Sequence, residues 1–246
     1  GRRPYFWPVY GPSGKSLVRG QGTDEHPHHT GLGIAYGGHG EGGSANIWSD
    51  WDEAPFGPGG RMVHRGFRLI EDGPVFCLIE EALTYVDAAG RPIADEIRRL
   101  RIWQADRERR FIDWHLQLTH MTDVGPRPWM LACRLDPVLL AGKEGKITNA
   151  NSFPDTEKKR PYRAAWVDAS GPVGGREAWE GIALLDHPAN HGYPGDVGKV
   201  AVLPQLTYTH YPPAGMVDGP FHLMYRAYVH LGDAKAADVT SSQKAW

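Results

Sequence analysis

Glycine and proline recur so often along this chain that long helices have little room to form. The 246 residues include 31 glycines and 20 prolines. Between them lie short apolar runs, among them GFRLIEDG, GIALLDHP and FHLMYRAYVHLG. Runs of this length, bounded by turn-forming residues, are typical of β-strands. No strand–helix alternation appears, and no glycine-rich phosphate loop follows a strand. The sequence therefore predicts an all-β protein.

Side chains alternate within two of these runs, as in half-buried strands. In 111–119 every second residue from Ile112 is apolar. In 221–231 the alternation predicts one face with Tyr225, Ala227 and Val229 and another with Arg226, Tyr228 and His230. VDAAG at 86–90 predicts a hairpin turn, 93–101 fits either a short helix or a strand, and 143–163 predicts a long surface loop. We expect one antiparallel β-sandwich domain over residues 1–246.

Composition excludes several functional classes. The formal net charge of -2, with scattered basic residues, argues against a nucleic-acid partner. No run approaches about 18 apolar residues, so no membrane span is expected and a cytoplasmic location is the default. Cys77 and Cys133 each lie in an apolar run and are expected to be buried, reduced thiols. The chain begins at Gly1, which leaves open a processed or trimmed start.

The densest polar cluster is TDEHPHHTGL, residues 23–32. In an extended segment His26 and His28 share a face, while His29 points the other way. Paired imidazoles suit a divalent metal (Fe, Cu or Zn) or proton transfer near neutral pH, and the sequence leaves both open. Carboxylates that could complete a metal site or orient an imidazole are Asp24, Glu25, Asp50 and Asp52. A solvated polar loop is the structural alternative.

A second cluster follows the apolar run GIALL, where a strand end would present Asp186, His187 and Asn190, with His191 close by. Catalytic groups are often placed on such loops. We expect His187 to act in catalysis or to join His26 and His28 as a metal ligand, and Asp186 and Asn190 to bind substrate. An Asp-His turn closed by an Asn cap is the alternative.

The polar side of 221–231 is a third candidate. Arg226 and Tyr228 could bind hydroxyls or a carboxylate, and His230 could act as a further catalytic histidine. An exposed polar strand face is the alternative. Tryptophans at 7, 48 and 51 flank the first histidine cluster, and Trp48 is a candidate platform for a sugar ring.

The order of several motifs resembles the PmoA-like family of bacteria. They are RPYFWPVYGPSGKSLVRG, HPHHTGL, RAAWVDASGPV, GIALLDHPAN and YRAYVHLG. The resemblance implies an all-β sandwich, with a galactose-mutarotase-like supersandwich as one form. The family is largely uncharacterised and is named after a methane oxygenase subunit. Membrane-bound methane oxidation is excluded for this chain because long apolar spans are missing.

Two departures from the family pattern affect the candidate sites. The family's D-H-P-H-H segment appears here as DEHPHH, with Glu25 replacing or following the aspartate. The tryptophan- and histidine-bearing stretch that often follows D-H-P-x-N is replaced by HGYPGDVGKVAVLPQ, which puts any role of that stretch in doubt and makes His191 a candidate local substitute.

Three functions follow as expectations. The first is a soluble enzyme acting on a carbohydrate or similar polyhydroxylated small molecule, with His26, His28, His187 and His230 in acid–base roles. Epimerisation, elimination or ring opening would suit it, with or without a divalent metal. The second is a histidine-ligated Fe or Cu oxygenase or lyase, and the third a non-catalytic carbohydrate-binding protein. The first requires sheet packing to bring the 26–28 and 186–191 segments into one cavity.

Overall fold

A computed structural model describes most of the chain. The described residues are 2–20, 29–37, 46–48, 59–119, 127–140, 143–151, 162–173, 175, 178–198, 205–213 and 220–246. Thirteen strands make up most of it: β1 Leu32–Tyr36, β2 Arg61–Glu71, β3 Phe76–Val86, β4 Pro92–Gln104, β5 Arg109–Thr119, β6 Trp129–Arg134, β7 Lys146–Asn149, β8 Tyr162–Arg163, β9 Trp166–Gly171, β10 Glu180–Asp186, β11 Asp196–Val197, β12 Gln205–His210 and β13 Phe221–Leu231. Within these described ranges the other elements are a 3₁₀ turn, Pro137–Leu139, and a short helix, α1 at Val239–Lys244.

The strands form two antiparallel sheets. The five-stranded sheet has the order β1-β6-β12-β11-β8, and the eight-stranded sheet the order β2-β3-β4-β5-β13-β10-β9-β7. β13 pairs with β5 on one side, placing Arg226 opposite Asp113, and with β10 on the other, placing Arg226 opposite Leu185. The all-β sandwich predicted from the sequence is confirmed.

Alternation along the strands builds the core between the sheets. On β5 the predicted apolar set Ile112, Trp114, Leu116 and Leu118 is buried. From β13, residues Leu223, Tyr225, Ala227 and Val229 join the same core, as do Leu131 and Cys133 of β6 from the other sheet. We call the core-facing side of each sheet its inner face and the other side its outer face.

The segment after β13 covers part of the eight-stranded sheet's outer face. There a second, smaller core forms from Trp166, Ala183, Leu185, Tyr228, Ala234 and Val239, with Trp246 packed against it. Helix α1 begins where the side chain of Asp238 accepts a hydrogen bond from the amide of Ser241 at 3.3 Å. Among the described residues no helix is long and apolar enough to cross a membrane.

The open local predictions are now resolved. The VDAAG segment turns the chain between β3 and β4, with Gly90 at a φ of 80°. Residues 93–101 lie in strand β4, and the predicted loop 143–163 holds β7 and β8, with 152–161 outside the described residues. Both cysteines are free thiols, Cys133 buried and Cys77 partly exposed.

Candidate functional site

The first histidine cluster is described only from His29 onward. His26 and His28 lie outside the described residues, as do Asp24, Glu25, Asp50 and Asp52. The Nε1–H of Trp48 donates to Nε2 of His29 at 3.2 Å, and both side chains are buried. Since an indole nitrogen only donates, Nε2 is the acceptor and Nδ1 carries the proton of a neutral ring.

This pair lies on the outer face of the five-stranded sheet. Trp48 packs with Ala35, Met130 and Ala132, which alternate with core-facing residues on β1 and β6. Two buried polar side chains, Arg134 of β6 and Gln205 of β12, lie on this side because they alternate with core-facing residues, and Arg3 and Thr30 are also buried. A guanidinium nitrogen of Arg3 donates to the carbonyl of Thr30 at 3.3 Å. Buried polar groups on an outer face are unusual, so this region around Trp48 is also a candidate for a functional site.

Asp186 ties the two sheets together. Its carboxylate is fully buried and accepts hydrogen bonds from Nδ2 of Asn190 at 2.6 Å and from the amide of Gly195 at 2.7 Å. Across the core, Nε2 of His210 on β12 lies 3.0 Å from the same carboxylate. Nδ1 of His210 lies 3.0 Å from the carbonyl of His191, so each ring nitrogen has an acceptor within hydrogen-bond distance.

Asn190 closes this network from the side of β13. Its amide oxygen accepts from the backbone N–H of Met224 at 2.7 Å, and its Nδ2 donates to the Met224 carbonyl at 2.7 Å. The side chain thus continues the hydrogen-bonding pattern of a strand where β10 has ended. Asp186 and Asn190 were predicted to bind substrate, and most of their hydrogen-bonding groups are bonded to other residues of the protein.

His230 is fully buried on the outer face, beneath the C-terminal segment. Its Nε2 lies 2.8 Å from Oδ2 of Asp168, and Oγ of Ser170 donates to Oδ1 of that aspartate at 2.9 Å. Gly181 is required beside it, because a Cβ there would lie 2.5 Å from Cε1 of His230. Burial of the whole group favours a structural role, and the predicted catalytic role of His230 stays a prediction.

Tyr228 is also enclosed. Its ring stacks on Phe111 at 4.6 Å, and its hydroxyl donates to the carbonyl of Ala237 at 3.0 Å. The burial of the ring raises its pKa. Tyr228 therefore binds the C-terminal segment to the sheet. That segment covers part of the face of β13 that was predicted to be polar.

Arg226, the next residue along this face, is mostly buried, with 15% of its side chain exposed. Nε and Nη2 donate to the two oxygens of Asp113 at 2.6 and 2.8 Å. The guanidinium lies between the rings of Phe111 and Trp246, 4.8 and 4.9 Å from their centres. Trp103 also donates to Asp113, at 2.9 Å. Rigidly held in this way, Arg226 presents Nη1 without a hydrogen-bond partner among the described residues.

His187 stands beside this pair at the end of β10. Its ring packs edge-on against Trp246 at 4.8 Å. The amide of Ala189 donates to Nδ1 at 3.1 Å, which places the proton on Nε2. Burial lowers the pKa of His187, and the charge of Arg226 adds to that effect against the opposing pull of Asp186.

Two further histidines meet on the same face. Nε2 of His115 on β5 lies 3.0 Å from Nδ1 of His222 on β13, a diagonal cross-strand pair. Burial lowers the pKa of His115, and the positive charge that His222, Arg99 and His187 can carry lowers it further. Both rings are at least partly exposed.

We name this group the outer-face site: His115, His187, His222, Arg226 and Asp113, bordered by Trp246. Neutral imidazoles can accept or donate a proton near pH 7, and the arginine can bind a hydroxyl or a carboxylate. Among the described residues, no three or more His, Cys, Asp or Glu side chains are grouped to hold a metal. Of the predicted ligands His26, His28 and His187, only His187 is described.

The described residues do not bring the histidine segments around 29 and around 187 together. His29 lies against the outer face of the five-stranded sheet, and His187 lies on the outer face of the eight-stranded sheet. The two outer faces of a sandwich point in opposite directions. A shared cavity with His26 and His28 stays a prediction, and His29 gives it no support.

A family model matches residues 1–244, nearly the whole chain, and its description is a family of unknown function, DUF6807. The chain belongs to the DUF6807 family. No curated protein matches this DUF6807 member. The resemblance to the PmoA-like family stays a prediction.

Two solved structures are similar to this DUF6807 chain at 10% identity. One is a heparan sulfate lyase HepC mutant from Pedobacter heparinus, with a TM-score of 0.34 over 70% of this chain and 22% of that one. The other is a putative kojibiose phosphorylase from human microbiome, with a TM-score of 0.32 over 75% of this chain and 23% of that one. The chain spans less than a quarter of the length of either.

Sequence reasoning on this DUF6807 member missed His115, His222 and Asp113. The alternation that placed Ile112 and Trp114 in the core also places Asp113 and His115 on the opposite face, so part of the signal was present. The register between β5 and β13 was the missing information, because it decides which polar side chains become neighbours.

Proposed function

We propose that this chain binds a polyhydroxylated small molecule of the carbohydrate class at the outer-face site and transfers protons to and from it. The observation that supports this most directly is how the histidines are partnered. His210 and His230 are buried against aspartates, whereas His115, His187 and His222 gather on an accessible face with no carboxylate partner among the described residues. His187 is held by the Ala189 amide and by a backbone hydrogen bond to Trp246. His115 and His222 bond to each other, so the outer ring nitrogens of that pair are the ones available to a substrate.

The His115–His222 pair is suited to proton transfer. With both rings neutral, one hydrogen bond joins them and leaves Nδ1 of His115 and Nε2 of His222 without partners among the described residues. A proton accepted at one outer nitrogen can be released at the other after the shared hydrogen bond reverses its direction. The lowered pKa of His115 keeps that ring unprotonated, and able to act as a base, at neutral pH.

Arg226 supplies a binding contact beside His187. Nη1 of Arg226 can donate to a hydroxyl or a carboxylate, and the Asp113 carboxylate keeps the guanidinium in a fixed plane. The ring of His187, oriented by the amide of Ala189 and by a backbone hydrogen bond to Trp246, lies beside the guanidinium. Trp246 borders both residues and offers an apolar edge to a sugar ring.

The openness of the face favours a second candidate, binding without catalysis. His222 is exposed, and no described segment encloses the pair from above. Water exclusion strengthens electrostatic catalysis, and an open face provides less of it. The two candidates differ in one observable, which is proton exchange into the sugar.

Nuclear magnetic resonance (NMR) of the imidazole nitrogens tests both candidates. The full chain, labelled at histidine, is titrated with D-glucose, D-galactose, D-glucosamine and D-glucuronate in turn. We expect the signals of His115, His187 and His222 to shift saturably with at least one sugar. The same sugar in D₂O should then gain deuterium at carbon, with the rate falling about 10²–10⁴-fold in His115→Ala.

His64→Ala is the matched control, since His64 is a partly exposed histidine on β2, outside the site. Saturable shifts without deuterium uptake would overturn the catalytic part and support the binding candidate. Unchanged signals from all three site histidines with all four sugars would overturn both.

A further inference from the structure

A cavity of about 430 Å³ lies at the end of the sandwich where β4 ends and β5 begins. One wall is the loop of Tyr10 and Gly11, and the other is the β4–β5 turn with Gln104, Arg107 and Arg110. Val229 forms part of the floor from the inner face of β13, so the cavity is separate from the outer-face site. Its volume is in the range of small-molecule sites.

The cavity contains more cationic than anionic side chains. Arginines 107, 109 and 110 line it together with one acid, Glu108. Arg109 is neutralised by Asp106, 2.6 Å from its Nη2. Arg107 has no partner among the described residues. Arg107 and Arg110 therefore have no carboxylate partner among the described residues, and with Glu108 and Asp106 counted against the three arginines the cavity keeps an excess of one positive charge.

Arg110 is held in place by neutral groups only. Its Nε donates to Oε1 of Gln104 at 2.9 Å, and Nη1 donates to the carbonyl of Tyr10 at 3.1 Å. These contacts orient the guanidinium without cancelling its charge, and they join both walls of the cavity. Tyr10 is 51% exposed, so its ring is available to pack against a ligand.

A buried carboxylate fixes the loop wall from behind. Glu180 is 1% exposed, and Oε1 accepts from the amide of Ser13 at 2.9 Å. Oε2 is buried without a hydrogen-bond partner among the described residues, and a Cβ on Gly11 would lie 2.1 Å from it. A buried carboxylate oxygen is costly unless a donor reaches it. Gly11 therefore has to be a glycine, and the carboxylate behind it holds this wall of the cavity close to the sheet.

We infer that this cavity binds a monosaccharide carrying one anionic group, a carboxylate or a phosphate. Arg107 and Arg110 receive the anionic group, and Tyr10 packs against the ring. Gln104 and the Gly11 wall face the hydroxyls. The cavity is many times larger than an inorganic anion, so the sugar portion contributes to recognition. This inference does not rest on the outer-face site, which lies on the other face of the sheet.

Calorimetric titration of the full chain tests it, with D-glucuronate, D-glucose 6-phosphate, D-glucose and inorganic phosphate as probes. We expect one of the two anionic sugars to bind at least about tenfold more tightly than glucose and than inorganic phosphate. The better of the two identifies the anionic group. The double variant Arg107→Gln/Arg110→Gln should weaken that binding about tenfold or more. Arg68→Gln, which alters an exposed arginine beside Glu80 on the edge strand β2, should leave it unchanged.

Three results would overturn the inference. They are anionic sugars binding no better than glucose, inorganic phosphate binding as tightly as both, and wild-type affinity in the double variant with a native circular dichroism spectrum. Loss of binding in His115→Ala but not in Arg107→Gln/Arg110→Gln would place the sugar at the outer-face site instead. That outcome would overturn this inference while supporting the proposed function.

Discussion

Replacing Asp186 by asparagine should destabilise the protein strongly while changing the side-chain volume little. The carboxylate accepts from Asn190, Gly195 and His210 at 2.6, 2.7 and 3.0 Å, and it is fully buried. An asparagine in its place turns one acceptor into a donor, so at least one of the three donors faces another donor. The His210 pair across the two sheets also loses its negative partner.

Breaking a buried pair of this kind costs about 3–5 kcal/mol, more than an ordinary neutral hydrogen bond contributes. Urea unfolding followed by tryptophan fluorescence measures it, and with a slope of about 3 kcal/mol per molar the midpoint should fall by more than about 1 M. Asp106→Asn, which alters an exposed turn aspartate, is the control and should shift the midpoint much less. A loss below about 1 kcal/mol for Asp186→Asn, with an unchanged slope, would refute a structural role and restore Asp186 as a candidate for substrate binding.

Two further outcomes test the histidine environments. The folded-state pKa values of His115 and His187 lie below their ordinary value. The unfolded chain therefore takes up protons first as the pH falls through about 6.5, so their contribution to stability is full above that pH and declines below it. Between pH 7.5 and 5.5 the urea midpoint of the wild type should fall more than that of His115→Gln/His187→Gln. An equal fall of the midpoint in the two proteins would contradict these pKa directions. Gly181→Ala should cost about 2 kcal/mol because the new methyl group meets the His230 ring, and an unchanged thermal midpoint would show that the ring moves freely.

Alternation was a reliable guide to which way side chains face. It placed Ile112 and Trp114 in the core and Arg226 on the opposite side of β13, as observed. Facing is a local property of one strand, so a single sequence contains it. The same reasoning marked 93–101 as helix or strand, and only pairing with β3 and β5 decided for strand.

Contacts between distant strands were beyond the sequence. His115 and His222 are 107 residues apart, and nothing in either segment specifies the register that joins them. The DHPAN segment illustrates both sides of this limit. The Asp186–Asn190 hydrogen bond spans four residues and matches the turn closed by an Asn cap that the sequence offered as an alternative. The third member, His210, comes from the other sheet and gave no local signal.

The described histidines fall into two groups that differ in their hydrogen-bond partners. The group to which a histidine belongs determines how the effect of replacing it should be interpreted. His210 and His230 each face an aspartate in a buried site, so replacing either leaves a buried carboxylate without its histidine partner. Within the described part of the chain, His115 and His222 bond to each other and to no buried carboxylate, so replacing the exposed His222 leaves no buried charge unpaired. Loss of activity in a His230 variant would thus be ambiguous between unfolding and chemistry. Loss of activity in a His222 variant that keeps wild-type stability would point to chemistry alone. The outer-face histidines are therefore the informative positions for establishing function.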